Sequence, residues 1–234
     1  GLTIEEWLTY APPESLSLYM FQQPRRAKRL YFDVIPKATD EWLSFVDRFA
    51  GEADDAKKLE SPAWHVHAGT PPPPLKLDGV PIGFGMLLNL ASACNAETPD
   101  VLWGFITRYA PDASPETLPT LDRLAGYAVR YFHDFVKPTK TFRAPDDVER
   151  AALESLAARL RGDLAEASAE DIQQAVYDIG MGHSFDPMRA WFQARYETLL
   201  GQSQGPRFGS FAALYGPAET AALVDAALEG ERAA

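Results

Sequence analysis

Residues 199–216 read LLGQSQGPRFGSFAALYG. Tyr196, Leu199 and Leu200 close one apolar helical run at Gly201. Gly205-Pro206 then imposes a turn, because proline fixes φ and has no backbone N–H to donate. Phe208, Phe211, Leu214 and Tyr215 resume at the three-to-four-residue interval of a second helix. The stretch therefore predicts helix, turn, helix, with Arg207 as its one charge, set in the first turn of the second helix. A cation is poorly placed there unless an anion or a carbonyl meets it, since the amino end of a helix is partially positive. Two readings stay open. Arg207 braces the turn by capping carbonyls of the preceding helix, or it reaches a phosphate or base edge of a nucleic acid.

On either side of this stretch the same pattern recurs. Helical spacing covers about 82–95, 99–109, 115–136, 145–161, 169–180, 187–200, 207–215 and 217–229. Start signals precede several of these runs, as Thr98-Pro99-Asp100, Ser114-Pro115-Glu116, Ser168-Ala169-Glu170-Asp171 and Asp186-Pro187. At the amino terminus Thr3 and Glu6 are spaced as a capping box, and Pro12-Pro13 ends that helix and starts the next. From Pro24 the apolar positions Ala27, Leu30, Tyr31, Val34 and Ile35, then Trp42, Phe45, Val46 and Phe49, predict a helix that kinks or breaks at Pro36. No run alternates with period two, so the predicted class is all-α. Glu52–Asp78, with four prolines at Pro71–Pro74, reads as the junction between helical subdomains at 1–75 and 76–234.

A chain of 234 residues with 46% hydrophobic and 24% charged residues can bury a substantial core. Its single cysteine, Cys94, lies in an apolar run and fits a reducing, cytoplasmic location rather than a disulfide framework. No apolar run approaches the ~18 residues of a membrane span, and no signal peptide opens the chain. Gly1 leads almost directly into a helix, which is the expectation for a piece of a longer protein. A formal net charge of −11 argues against a general nucleic-acid coat. The distribution is uneven, however. Arg25, Arg26, Lys28, Arg29 and Lys37 stand against Asp33 alone, a local charge of +4, and Lys137, Lys140 and Arg143 form a second cluster.

No catalytic constellation emerges. His65 and His67 would share a face if HVH were extended, as in a metal pair, but no third ligand lies nearby. His133 reads as a helix-face residue and Cys94 as a buried small hydrophobe without a basic neighbour. GVPIGFGMLLNL is not a dinucleotide or phosphate loop, and its Gly83 and Gly85 read as allowances for close helix packing. Catalytic and metal residues are therefore expected to be none. By contrast, PRRAKRLYFD interleaves cations with Tyr31 and Phe32, so on a helix it would offer a charged face beside an aromatic seam.

Three stretches carry a resemblance: GLTIEEWLTYAPPESLSLYMFQQPRRAKRLYFDVIPKATDEW (1–42), PAWHVH (62–67) and YETLLGQSQGPRFGSFAALYG (196–216). Together they resemble the C-terminal half of the class I lysyl-tRNA synthetases, over essentially the whole chain. The resemblance implies a helical stem-contact region in residues 1–75 and a helix-cage anticodon-binding domain in 76–234, similar to that of glutamyl-tRNA synthetases. It further implies a preceding N-terminal catalytic domain bearing HIGH- and KMSKS-type signatures, which these residues lack. That domain would activate lysine with ATP and Mg and load it onto the tRNA, while this half, without a cofactor of its own, selects lysine tRNA by its anticodon. The GPRFG turn matches the motif that closes the cage. Anticodon bases are read splayed out, stacked on rings and hydrogen-bonded at their edges. Arg207, Phe208 and Trp64 are then the candidate base contacts, and Arg25, Arg26, Lys28 and Arg29 the candidate phosphate contacts. The cation cluster can equally be a solvated face. The acidic stretch 146–172, DDVERAALESLAARLRGDLAEASAEDI, keeps open an alternative: an acidic, all-helical protein-interaction domain that binds no RNA.

Overall fold

The chain is all-α. The computed structural model describes residues 1–22, 24–27 and 29–231. Among these lie α1 (Ile4–Tyr10), α2 (Pro13–Phe21), α3 (Val34–Gly51), α4 (Asp55–Glu60), α5 (Pro62–Val66), α6 (Phe84–Cys94), α7 (Pro99–Tyr109) and α8 (Pro119–Tyr131). They are followed by α9 (Asp147–Arg161), α10 (Ala169–Gly182), α11 (Met188–Leu199), α12 (Phe208–Tyr215) and α13 (Pro217–Leu228). A π-helical turn, Phe132–Val136, extends α8. The strands among the described residues are β1 (Lys76–Leu77) and β2 (Val80–Pro81), an antiparallel pair. Asp78 and Gly79 join them at φ of 49° and 77°, the backbone a tight hairpin turn requires.

Local chemistry accounts for most helix ends. The Thr3 hydroxyl accepts from the Glu6 amide (3.2 Å) and the Glu6 carboxylate from the Thr3 amide (2.7 Å), which closes the expected capping box. Asp146 and Glu149 form a second one at α9. The stretch 52–78 is more structured than a junction, since it contains α4, capped by Asp54, and α5, capped by Ser61 with Pro62 in its first turn.

Two starts differ from expectation. Residues 24–27 and 29–33 are not helical, and Pro36 sits in the first turn of α3 instead of breaking a longer helix. A helix running through Pro36 would need a donor it lacks and would press its ring on the Phe32 carbonyl, whereas in a first turn neither cost arises. The helix expected from residue 115 begins at Pro119, because Ser114 and Thr117 first close a turn through reciprocal hydroxyl–amide bonds of 3.0 and 3.1 Å.

Two compact units are formed, each from two stretches of chain: 1–88 with 112–135, and 89–111 with 136–234. This differs from a contiguous division at 75/76, since residues 76–88 and 112–135 pack in the first unit. The reason lies in specific ties. In α8, Arg123 pairs with Glu14 (3.1 Å), Arg130 donates to the Thr9 carbonyl (3.1 Å) and Tyr131 donates to the Phe32 carbonyl (3.1 Å). The Asp40 carboxylate of α3 accepts from the amides of Phe84 and Gly85 at 2.6 and 3.1 Å, so it caps α6 from elsewhere in the chain. Gly83 and Gly85 are glycine for this reason, because a Cβ on Gly83 would lie 2.4 Å from an Asp40 oxygen.

The first unit packs around Trp7, Ile35, Trp42 and Phe84, with the Trp7 indole donating to the buried Ser15 hydroxyl (3.0 Å). The second packs around Leu102, Leu156, Val176, Trp191 and Phe211, with the Trp191 indole donating to the Val176 carbonyl (2.9 Å). Among the described residues no helix is long and apolar enough to cross a membrane.

Candidate nucleic-acid interface

The basic segment of the first unit is an exposed turn. Arg25, Arg26 and Arg29 are all exposed, and Lys28 lies outside the described residues. A backbone bond from Leu2 to the Leu30 carbonyl (2.9 Å) ties the end of this segment to the amino terminus. The expected aromatic seam is split. Phe32 turns inward against Phe135 (4.2 Å between centroids) and Tyr10 (5.9 Å), while Tyr31 is 49% exposed and its hydroxyl receives Arg29 Nη1 at 3.5 Å. One exposed ring therefore stands among exposed cations, the pairing that holds unpaired nucleotides through backbone charge and base stacking.

Trp64 and the histidines are engaged in packing. Trp64 is half-buried, lies 6.2 Å from the Phe49 ring, and faces Gly69, whose φ of 90° lets the chain pass over the indole. HVH is not extended: His65 lies in α5 and stacks on Phe21 at 5.3 Å, whereas His67 caps that helix and its Nε2 accepts from the Trp42 indole at 2.9 Å. Burial pushes the His67 pKa down, which suits an acceptor nitrogen. Among the described residues no three His, Cys, Asp or Glu side chains are grouped to hold a metal ion. His133 pairs with Asp134 (2.8 Å), whose other oxygen accepts from the Tyr10 hydroxyl (2.7 Å). The Cys94 thiol is half-buried, donates to the Leu90 carbonyl (3.0 Å), and is raised in pKa by burial.

In the second unit the GPRFG turn separates the two residues that had been expected to act together. Arg207 is the N-cap residue of α12, and its guanidinium meets Glu170 of α10 at 2.8 Å. The anion demanded by its position is thus a side chain on a neighbouring helix and not a carbonyl of the preceding one. Phe208 is only 3% exposed and packs against Tyr196, Phe211 and the Arg195 guanidinium. Its ring belongs to the core, so it offers no stacking face. Gly209 is held equally closely, with its amide donating to Gln173 (2.8 Å) and no room for a Cβ beside the Ala169 carbonyl.

Beside this turn is a pocket of about 340 Å³, lined by Arg189, Phe192, Gln193 and Tyr196 of α11 and by Ser203, Gln204 and Gly205 of the turn. The four helical residues recur at i, i+3, i+4 and i+7 and so share one face. The volume falls at the lower end of small-ligand sites, roughly 300–1,000 Å³. Two rings, one guanidinium and several amide or hydroxyl groups give it both stacking and edge-bonding capacity.

The family model described as tRNA synthetases class I (K) matches residues 1–70. A lysine–tRNA ligase of Roseobacter denitrificans is 54% identical over 231 residues, which is 99% of this chain and 43% of the relative. Lysine–tRNA ligases of Rickettsia felis and Rickettsia bellii are each 44% identical, over 97% and 96% of the chain and 43% and 42% of their own length. The chain belongs to the class I lysyl-tRNA synthetase family. It spans about 43% of the length of these relatives, and no match to a solved structure was found. On this synthetase chain, Arg25, Arg26, Arg29 and Trp64 lie in the first unit and Arg207 and Phe208 in the second. The α11 face was not singled out from the sequence. Its signal is the spacing of Arg189, Phe192, Gln193 and Tyr196 within MRAWFQARYETL, where rings and polar groups share a stripe that apolar periodicity alone does not separate from core.

Proposed function

We propose that this chain is the tRNA-recognising, C-terminal part of a cytoplasmic lysine–tRNA ligase, and that it selects lysine tRNA through the anticodon. The observation that carries the reading is the α11 pocket, where Phe192 and Tyr196 stand beside Arg189, Gln193 and Gln204, the ring and edge-donor chemistry by which unstacked RNA bases are read. Arg207, 48% exposed at the neighbouring turn, is a phosphate or base-edge contact of the same surface. Residues 1–75 serve as the stem-contact region, with Arg25, Arg26 and Arg29 on phosphates and Trp64 supporting the α5 segment. Residues 76–234 serve as the anticodon-binding region.

The complete ligase would activate lysine with ATP and Mg in an N-terminal catalytic domain, the second partner of this chain beside lysine tRNA. The glycines of GVPIGFG offer no phosphate site: the N-terminus of α6, which follows them, is filled by the Asp40 carboxylate. No nucleotide chemistry is assigned to them. The test is binding of lysine tRNA to the 234-residue chain across a salt series, with the anticodon bases then replaced. Binding that weakens with salt and is lost on anticodon replacement supports the reading. Absent or anticodon-indifferent binding favours the acidic protein-interaction domain instead.

A further inference from the structure

Phe21, the last residue of α2, and His65 of α5 stack on one another at the surface of the first unit, with ring centroids 5.3 Å apart and planes 20° from parallel. Phe21 is 45% exposed and His65 is exposed as well, so the pair leaves ring surface open to solvent. The other histidine of HVH shows what a packing role demands: His67 stacks on Trp42, accepts from its indole and is half-buried. The His65 ring makes no hydrogen bond or ion pair among the described residues. Trp64, expected from the sequence to contact bases, is half-buried against Phe49 and Gly69, so its neighbour His65 is the ring that α5 shows to solvent. Four residues after Phe21 the chain reaches Arg25, no more than about 14 Å away between Cα atoms by the reach of extended backbone. Arg25 and Arg26 are exposed, and among the described residues neither has an ion-pair partner. Glu41, the carboxylate beside the end of α2, is taken up by Gln22 at 2.9 Å. Tyr31, 49% exposed, follows the same cations on their other side in the chain.

We propose that the Phe21–His65 pair stacks one unpaired nucleotide of the tRNA outside its anticodon, while Arg25 and Arg26 hold the phosphates on either side of that nucleotide. The proposal rests on the tRNA reading above and adds a base contact to a unit given only stem and phosphate contacts there. The anticodon is assigned to the second unit, so this nucleotide lies elsewhere in the tRNA. Charge and shape choose the occupant. A net charge of −11 repels a polyanion except where cations stand free of carboxylates, as Arg25 and Arg26 do. Two rings already stacked offer a third flat ring a preformed face, with little side-chain ordering left to do. An apolar protein segment would use the rings and leave two guanidinia without anions. Paired RNA would use the guanidinia and keep its bases stacked within the helix, out of reach of the rings. An unpaired nucleotide uses both. The contact tolerates any base, because every base has a flat face.

The experiment measures binding of lysine tRNA to the 234-residue chain across a salt series for the wild type, Phe21→Leu and Phe21→Trp, with 2′-hydroxyl acylation of the bound tRNA read nucleotide by nucleotide. Leucine keeps an apolar cover over α5 and removes the ring face, whereas tryptophan enlarges that face. Phe21→Leu should weaken binding about tenfold at an unchanged salt slope, and Phe21→Trp should bind at least as well as the wild type. One unpaired nucleotide outside the anticodon, protected by the wild type, should regain its reactivity in Phe21→Leu while anticodon protections persist. Wild-type affinity and protections in Phe21→Leu overturn the proposal and leave the tRNA reading standing. A loss that Phe21→Trp shares, or that removes the anticodon protections too, marks Phe21 as a packing residue and equally overturns it. His65→Ala, at an exposed position that the fold does not need, should cost about threefold or more, and an unchanged affinity there overturns the pair as the site. A wild type that binds no lysine tRNA overturns the tRNA reading and this proposal with it.

Discussion

Arg207 is held by a surface carboxylate, and the energetics of such a pair decide what it can do. With side-chain exposures of 48% and 75%, the Arg207–Glu170 bridge contributes about 0–1 kcal/mol, so an RNA phosphate or base edge can displace Glu170 at little cost. Arg207→Ala should weaken lysine tRNA binding by about 1–3 kcal/mol at unchanged helical content. Glu170→Gln should strengthen it by removing the competitor, and isothermal titration on both variants checks the pair. Affinity unmoved by either change would confine Arg207 to bracing the turn. Arg143, one of the second basic cluster in the sequence, is a structural centre: it forks onto the buried Glu149 carboxylate at 2.7 and 2.9 Å and also donates to Glu197. Arg143→Ala should destabilise the chain by about 1–3 kcal/mol, read as a lower urea midpoint, because Glu149 is left without its guanidinium. The hydrogen bond from Arg143 holds the Glu197 carboxyl below its ordinary range against opposing burial. A depressed carboxylate pKa contributes stability above the unfolded value and loses it as pH falls through the folded one. Stability should therefore decline below about pH 4, less steeply in Arg143→Ala than in the wild type.

At the scale of elements, the amino end of α6 depends on α3. Asp40→Ala should cost about 1–2 kcal/mol, the usual range for a lost helix cap, while Asp40→Asn, which keeps an acceptor oxygen, should cost less. The asymmetry has a cause in the site: burial raises the Asp40 pKa against the two amide bonds that lower it, so a neutral acceptor gives up little. Gly83→Ala should be harmful as well, since its Cβ would displace the capping carboxylate. Thermal unfolding of the three variants orders them. The basic segment makes a different prediction, because among the described residues its Arg25, Arg26 and Arg29 are exposed and meet no buried carboxylate. Arg25→Ala with Arg29→Ala should leave stability unchanged and reduce the slope of log affinity against log salt by about one for each cation removed. An undiminished slope would mean that the turn does not meet phosphate.

At the scale of the whole molecule, the discontinuous make-up of the first unit has a consequence for folding. Residues 1–75 alone would lack Asp134 for Tyr10, Arg123 for Glu14 and Tyr131 for the Phe32 carbonyl. Produced alone, this fragment should show little protection of its α1 and α3 amides in hydrogen exchange, whereas the same amides in the full chain should be protected. The net charge of −11 also matters at this scale. It opposes indiscriminate polyanion binding, so the tRNA binding proposed for the chain has to rest on a few placed cations and rings.

The sequence by itself determined where most helices lie, because their signals act within four residues. Thr3 with Glu6, Pro13 after Pro12, and Ser168 each satisfy or dispense with amides of an adjacent first turn. It also exposed Arg207 as a cation in need of an anion or a carbonyl. Only the tertiary structure decided which anion answers it, because Glu170 lies 37 residues away. The same separation hid the Asp40 cap, 44 residues before Phe84, and the stacking of Phe21 on His65. Phe208 and Tyr31 make the point in opposite directions. Both are aromatic residues beside cations in sequence, yet one ring is buried and the other half exposed, and burial is settled by which neighbours fill the space around a ring, not by the residues next to it in the chain.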